Sequence, residues 1–405
     1  MIRKRNTGCL KIRSEVFDHS SAESRIVIWQ KKAAGKKEEF IRKYLEWRID
    51  MKWEDNVRKV VPYVAGEQPN KPEMIKLNTN ECPYPPAPGV RRLAEQMDCD
   101  ALRLYPDPNT TPLVDALAEY YGVRPEQVFV GVGSDDVLAM AFLTFFNSGR
   151  PILFPDVTYS FYDVWADLYR IPYRTCPLDE NWHIRPEDYK QPNGGVIFPN
   201  PNAPTGVLES LDTVEEIIRA NQDVIVIVDE AYVDFGGVSA LPLLEKYENL
   251  LVVQTFSKSR AMAGLRIGFG IGNEKLIRYL NDVKFSFNSY TMNYPSQMMG
   301  VEAVRDNAYF KTVTAKIVDT RERVKRELAQ LGFTFPDSRA NFIFASHGTV
   351  PAEKIFRALR EADIYVRYWD KPRISNSMRI TIGTDEQMDR LIAFLKEFLA
   401  VQDQP

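Results

Sequence analysis

The chain has 405 residues, of which 44% are hydrophobic and 26% charged, and its formal net charge is −3. That length can bury the core of two or three folding units, and the composition is that of a globular protein. No apolar run reaches the roughly 18 residues of a membrane span, and the acidic balance argues against nucleic acid as the main partner.

The charge is unevenly spread. Residues 1–50 carry 13 Lys and Arg against 7 Asp and Glu, or +6, which leaves −9 for the other 355 residues. Glu and Asp recur through this basic stretch, against the acid-poor pattern of a transit peptide, and Ile26 to Trp29 is too short for the core of a signal peptide. Only Phe40, Ile41, Tyr44, Leu45 and Trp47 fall at helical spacing there. Charge alone would allow a nucleic-acid arm. The plainer expectation is a dispensable extension before a functional protein that begins at Met51, placed in the cytoplasm. Cys9, Cys82, Cys99 and Cys176 have no paired spacing, which fits a reduced chain without disulfides. His19, His183 and His347 stand apart from one another, so no metal site is expected.

From Met51, Val60-Val61-Pro62-Tyr63 and then Ile75 to Glu81 lead into the proline cluster Pro83 to Pro88, which is extended rather than helical. Helical patterning covers Gly89 to Gln96. Leu104-Tyr105-Pro106-Asp107-Pro108 makes a rigid turn before a helix over Thr111 to Tyr121. Gln127 to Val130 reads as a strand running into Gly131-Val132-Gly133. A helix opening at Ser134-Asp135 then offers unpaired N–H groups to a phosphate. Pro151 to Phe154 is a strand followed by a helix from Tyr159 onward, and Gly195 to Phe198 leads into Asn200-Pro201-Asn202-Ala203-Pro204-Thr205-Gly206.

Val224 to Val228 is an unbroken β-branched run with the length of a strand buried on both faces. It ends in Asp229-Glu230-Ala231-Tyr232, at the strand edge where open α/β sheets bind ligands. Leu251-Val252-Val253 delivers Thr255-Phe256-Ser257-Lys258-Ser259 to the same edge, and Arg266 follows inside Ala263-Gly264-Leu265-Arg266-Ile267-Gly268. A carboxylate, a phenol, a lysine flanked by hydroxyls and an arginine converge. Pyridoxal phosphate (PLP) chemistry needs that set: lysine for a Schiff base, an acid for the ring nitrogen, hydroxyls and a guanidinium for the phosphate. The alternation over 125–275 predicts a mostly parallel sheet with helices on both faces. A long helical tract, broken or bent, follows over Ser296 to Leu331. Beyond it lie strands over Ala340 to Phe344, Ile364 to Arg367 and Met378 to Ile382, with helices over Pro351 to Glu361 and Asp385 to Val401.

These motifs resemble the fold-type-I PLP-dependent aminotransferases and, within them, the histidinol-phosphate branch, over about residues 55 to 400. The pieces that carry the likeness are Tyr105 to Pro108, Asn200 to Gly206, Asp229 to Tyr232, Thr255 to Lys258 and Ala263 to Gly268. The resemblance implies an α/β fold whose mostly parallel central sheet is flanked by helices, with a smaller α+β domain. Its divisions would be an extension over 1–50, an arm over 51–104 joining the small domain, a PLP domain over 105–320 and the small domain over 321–405.

By resemblance Lys258 carries the cofactor and moves the substrate proton, and Asp229 pairs with the ring nitrogen. Asn202 and Tyr232 reach the ring oxygen, and Tyr159 stacks on the ring. Gly133, Ser134, Asp135, Ser257 and Arg266 hold the phosphate, and Tyr105 reaches it from the other subunit of a homodimer. Tyr63, Asn80, Arg367 and Arg379 take the substrate, L-histidinol phosphate or 2-oxoglutarate. An aromatic aminotransferase and a threonine-phosphate decarboxylase are the alternatives on the same fold. One departure is visible: the family's usual Asn after Asn80-Glu81 is replaced by Cys82.

Overall fold

The computed structural model describes residues 52–402, so the basic stretch and its Phe40 to Trp47 spacing lie outside the described residues. Of the described residues, Lys52–Lys59 belong to one compact unit and 60–402 to another. In the first, a 3-10 turn spans Trp53–Asn56, and the Asp55 carboxylate accepts from the Lys52 backbone N–H at 3.0 Å.

The larger unit holds two sheets. Its strands are β1 (Ile75–Leu77), β2 (Val128–Gly131), β3 (Ile152–Pro155), β4 (Tyr173–Cys176), β5 (Val196–Pro199) and β6 (Val226–Asp229), then β7 (Leu250–Thr255), β8 (Gly268–Gly272), β9 (Phe333–Thr334), β10 (Phe342–His347), β11 (Ile364–Tyr368) and β12 (Met378–Thr381). Its helices are α1 (Pro88–Gln96), α2 (Thr111–Tyr121), α3 (Ser134–Phe145), α4 (Tyr162–Tyr169) and α5 (Leu211–Ala220), then α6 (Glu274–Phe287), α7 (Tyr294–Arg305), α8 (Asn307–Gln330), α9 (Ala352–Glu361) and α10 (Asp385–Gln402).

The 7-stranded sheet has the order β2-β8-β7-β6-β5-β3-β4. Strands β7, β6, β5, β3 and β4 are mutually parallel, and β8 runs antiparallel to both β2 and β7. Successive residues of the central strands face opposite cores. Ile227, Leu251 and Val253 pack with α3, α4 and α6, while Val226, Val228, Leu250 and Val252 pack with α5. Both faces being covered is why these strands read as continuous apolar runs. Each buried aliphatic side chain contributes about 1.5–3 kcal/mol.

The 5-stranded sheet has the order β1-β11-β12-β10-β9. One face packs Ile75, Leu77, Ile343, Ile364, Val366, Met378 and Ile380 against α8, α9 and α10. Alternation sends Arg367 and Arg379 to the other face. They are direct partners in the antiparallel register of β11 with β12. The expected long helical tract is two helices, α7 and α8, separated at Asp306, whose carboxylate accepts from the Tyr309 N–H at 3.1 Å and so caps α8.

Candidate active site

The carboxyl ends of β2, β3, β5, β6 and β7 share one edge of the larger sheet because these strands run the same way. Strand β8 runs the other way, so its amino end reaches that edge and brings Arg266 with it. Lys258 lies three residues past β7. Its Nζ donates to the Thr79 carbonyl at 3.2 Å and stands 5.9 Å from the centre of the Tyr232 ring.

Asp229 closes β6 and is buried. Its Oδ2 accepts from the Tyr162 hydroxyl at 2.8 Å and its Oδ1 from the Ala231 N–H at 3.2 Å. Loss of hydration raises its carboxyl to about 6, and the two donors act against that rise. The Tyr232 hydroxyl accepts from the Asn80 amide at 2.9 Å, and Asn80 also accepts from Thr381 at 3.0 Å. Asn202 ties its own turn to the segment that follows β3. Its amide donates to the Val157 carbonyl and to Thr205, both at 3.0 Å, while its oxygen accepts from Thr158 at 3.1 Å.

Beside this group lies an anion cradle. Helix α3 starts at Ser134 without a side-chain cap, so its first N–H groups are free of a local acceptor side chain. Gly133 precedes it at φ +87, and a Cβ there would fall 2.5 Å from Arg266 Nη2. A Cβ on Gly268 would fall 2.2 Å from the Gly133 carbonyl carbon and from the Ser134 nitrogen. Both positions therefore need glycine. Arg266 donates to the Asp135 carboxylate at 3.1 Å and to Ser257 Oγ at 3.4 Å, and the Tyr159 hydroxyl donates to the other Asp135 oxygen at 2.7 Å.

A cavity of about 140 Å³ opens above Lys258, lined by Tyr63, Asn80, Tyr159, Tyr232, Arg367 and Arg379 among others. A larger one of about 760 Å³, beside Trp182 and His183, holds none of these residues. Tyr63 stacks on Phe161 with ring centres 4.1 Å apart. Arg379 donates through Nη2 to the Asn78 carbonyl at 2.9 Å, and its buried Nε has no partner. Burial pulls that guanidinium below the ordinary arginine range. Tyr105 is not in this cavity: it is 82% exposed, and its ring lies 4.6 Å from that of Tyr290.

Sequence reasoning passed over Tyr162, Thr158 and Trp369. Tyr162 stands one helical turn after Tyr159, so the spacing was available, but its bond to Asp229 depends on how α4 packs. Cys82 sits half-buried against the core of the smaller sheet, where burial pushes its thiol up to about 11 and keeps it protonated at neutral pH.

The model of the family described as aminotransferase class I and II matches residues 72–395. The chain belongs to that family. Histidinol-phosphate aminotransferase of Lactococcus lactis subsp. cremoris strain MG1363 is 51% identical over 349 residues, which is 86% of this chain and 98% of the relative. The enzyme of that name from Brachyspira hyodysenteriae is 49% identical over 343 residues, or 84% and 97%. In fold, the chain is similar to histidinol-phosphate aminotransferase from Sinorhizobium meliloti in complex with pyridoxal-5'-phosphate. The TM-score is 0.74 at 24% identity, covering 81% of this chain and 91% of that one. The Clostridium acetobutylicum enzyme gives 0.75 at 22%, covering 81% and 100%.

The aminotransferases of this family depend on pyridoxal 5'-phosphate, and the residues present fit that group. Two glycines keep the phosphate cradle open, a cation and a hydroxyl border it, a sealed carboxylate lies beside it, and a lysine stands over the cavity. Among the described residues no group of His, Cys, Asp and Glu could hold a metal ion, and no helix is long and apolar enough to cross a membrane.

Proposed function

We propose that this aminotransferase moves the amino group of L-histidinol phosphate to 2-oxoglutarate, giving imidazole-acetol phosphate and glutamate, as a step of histidine biosynthesis in the cytoplasm. The observation that carries the reading is the arginine pair on β11 and β12. Arg367 and Arg379 face the cavity above Lys258, and neither has a carboxylate within ion-pair reach among the described residues. Two unneutralised guanidiniums in register suit a phosphate dianion or, in the return half-reaction, the carboxylates of 2-oxoglutarate.

Bound PLP supplies an electron sink for the electrons left when the substrate loses its Cα proton. The protein supplies the rest. Lys258 Nζ is the group that takes and returns that proton, reaching over the cavity from the end of a rigid strand. Asp229 holds the proton on the ring nitrogen from a position sealed against water. The α3 amino terminus, Ser257 and Arg266 take the phosphate, with Asp135 accepting from both Arg266 and Tyr159. Tyr63 and Asn80 border the substrate, and Asn202, held by Thr158, and Tyr232, held by Asn80, orient the ring. In this reading residues 105–320 form the cofactor domain, 321–405 the small domain and 51–104 the arm that supplies β1.

Adding histidinol phosphate to the holoenzyme should bleach the cofactor absorbance, and 2-oxoglutarate should then restore it with release of glutamate. No spectral change with this donor would defeat the assignment. Carbon dioxide release from phosphothreonine would point to a decarboxylase, and turnover of phenylalanine in its place to an aromatic aminotransferase.

The same reading makes the enzyme a homodimer with Tyr105 completing the partner's phosphate site. Leu102, Leu104 and Tyr105 are 51%, 58% and 82% exposed. Tyr105 packs on Tyr290, and Phe287 nearby in sequence is 69% exposed. An apolar set of this kind is suited to burial against a second copy. Sedimentation should give a dimer at assay concentration; a fully active monomer would remove Tyr105 from the site.

A further inference from the structure

We propose that Trp369 is a positioning residue for the anion site: its indole face holds Arg367 and Arg379 side by side while leaving their N–H edges to the substrate. The inference rests on the phosphate reading above and adds a residue to it. Arg367 and Trp369 are two apart at the end of β11, so both point to the cavity side. Arg379 is the register partner of Arg367, which puts Trp369 on its diagonal, within reach of a large ring. The structure realises this. The guanidinium carbons of Arg367 and Arg379 both lie 5.2 Å from the Trp369 ring centre, and Arg379 is also 5.4 Å from the ring centre of Phe342.

Like charges directly opposite across two strands repel. A pair left in that state splays apart or recruits a carboxylate. Here no carboxylate is paired with either arginine among the described residues, and the buried Nε of Arg379 has no partner at all. A neighbouring acid would neutralise the pair but would compete with the incoming anion for the same donors. An aromatic face attracts a cation through its quadrupole, accepts none of its in-plane hydrogen bonds and does not titrate. Trp369 therefore keeps the pair together in the unliganded enzyme and leaves the N–H groups not taken by the Asn78 carbonyl available to a doubly charged group. The ring also lines the cavity itself, together with Tyr63 and Gly66.

The test compares Trp369→Leu and Trp369→Phe holoenzymes with wild type, using histidinol phosphate, histidinol without its phosphate, and inorganic phosphate. The leucine variant should raise KM for histidinol phosphate about tenfold or more, change kcat less than about threefold, and weaken competitive inhibition by inorganic phosphate by a similar factor. Its kcat/KM for histidinol should fall at least about threefold less than that for histidinol phosphate. The phenylalanine variant, which keeps an aromatic face, should lose no more than about fivefold on any of these. Equal losses in both variants, or equal losses on both donors, would overturn the proposal. Where the leucine variant does not fold, Trp369→Met takes its place with the same expected losses, and wild-type values in it would overturn the proposal. Should wild type not turn over histidinol phosphate, the substrate reading fails separately, and calorimetry with inorganic phosphate decides the role of Trp369: unchanged affinity in the variants overturns it.

Discussion

Lys258→Ala should reduce turnover by about three orders of magnitude or more while leaving the cofactor site formed. The lysine is asked to do two things: hold the aldehyde of PLP covalently and carry the Cα proton. Positioned proton transfer alone contributes about 10²–10⁴ in rate. Alanine removes the amine without touching what surrounds it, because Nζ makes one hydrogen bond, to the Thr79 carbonyl, in a cavity rather than in the packed core. The fold should therefore melt near the wild-type temperature, and PLP should still bind through the cradle formed by Gly133, Ser257 and Arg266. Borohydride reduction followed by peptide mapping should label Lys258 in wild type and leave no label in the variant. Turnover within tenfold of wild type, or a label fixed on another lysine, would sink the assignment.

The strand ends were legible because a sequence states where an apolar run stops and what residue stops it. Val228 gives way to Asp229, and Val253 gives way within a few residues to Lys258; β6 starts two residues later than the apolar run and ends on Asp229, and β7 runs on to Thr255, three residues before Lys258. Helix α2 was readable to the residue, since the rigid turn of Pro106 and Pro108 starts it and Gly122, at φ +67, ends it. Strand β8 was not legible as a strand. Gly268, Gly270 and Gly272 make it read as a loop, yet glycine is what its neighbours require: a Cβ on Gly270 would meet Leu251 at 3.1 Å, and Gly268 faces the start of α3. Its antiparallel direction is also what carries Arg266 to the site edge, and no local signal in the sequence states a strand's direction.

Within the site, the sequence points to residues defined by the strand they end, and passes over residues defined by what they touch. Tyr162 is a helix residue like any other until α4 docks and its hydroxyl meets Asp229. Trp369 follows an arginine in an ordinary strand pattern, and its contact with a second arginine exists only once β11 and β12 pair. Asn202, proposed above to orient the cofactor ring, donates its amide hydrogens to Val157 and Thr205, and the turn it stabilises sets Ala203 and Pro204 into the cavity wall.

Asp229→Asn separates the two ways this carboxylate acts, through turnover and through stability. Asparagine keeps the shape and can still meet Tyr162 and the Ala231 N–H, but it offers no charge to the ring nitrogen. Removing one member of a buried charge pair costs about 3–5 kcal/mol, so turnover should fall by about 10²–10⁴. The cofactor-free protein supplies the second measurement. There the folded-state pKa is raised to about 6, above the unfolded carboxylate near 3.9. Between those values the native state binds the extra proton, so stability falls as pH rises from about 4 to about 6 and levels off above. A shift of roughly two units corresponds to about 3 kcal/mol. Denaturant unfolding of cofactor-free wild type should therefore lose about that much, relative to Asp229→Asn, between pH 4 and pH 7. Bound PLP, with its cationic ring nitrogen facing the carboxylate, should abolish that difference in slope. Parallel pH profiles for the two cofactor-free proteins would mean that water reaches Asp229, and a carboxylate open to water could not hold the ring proton in the way the mechanism requires.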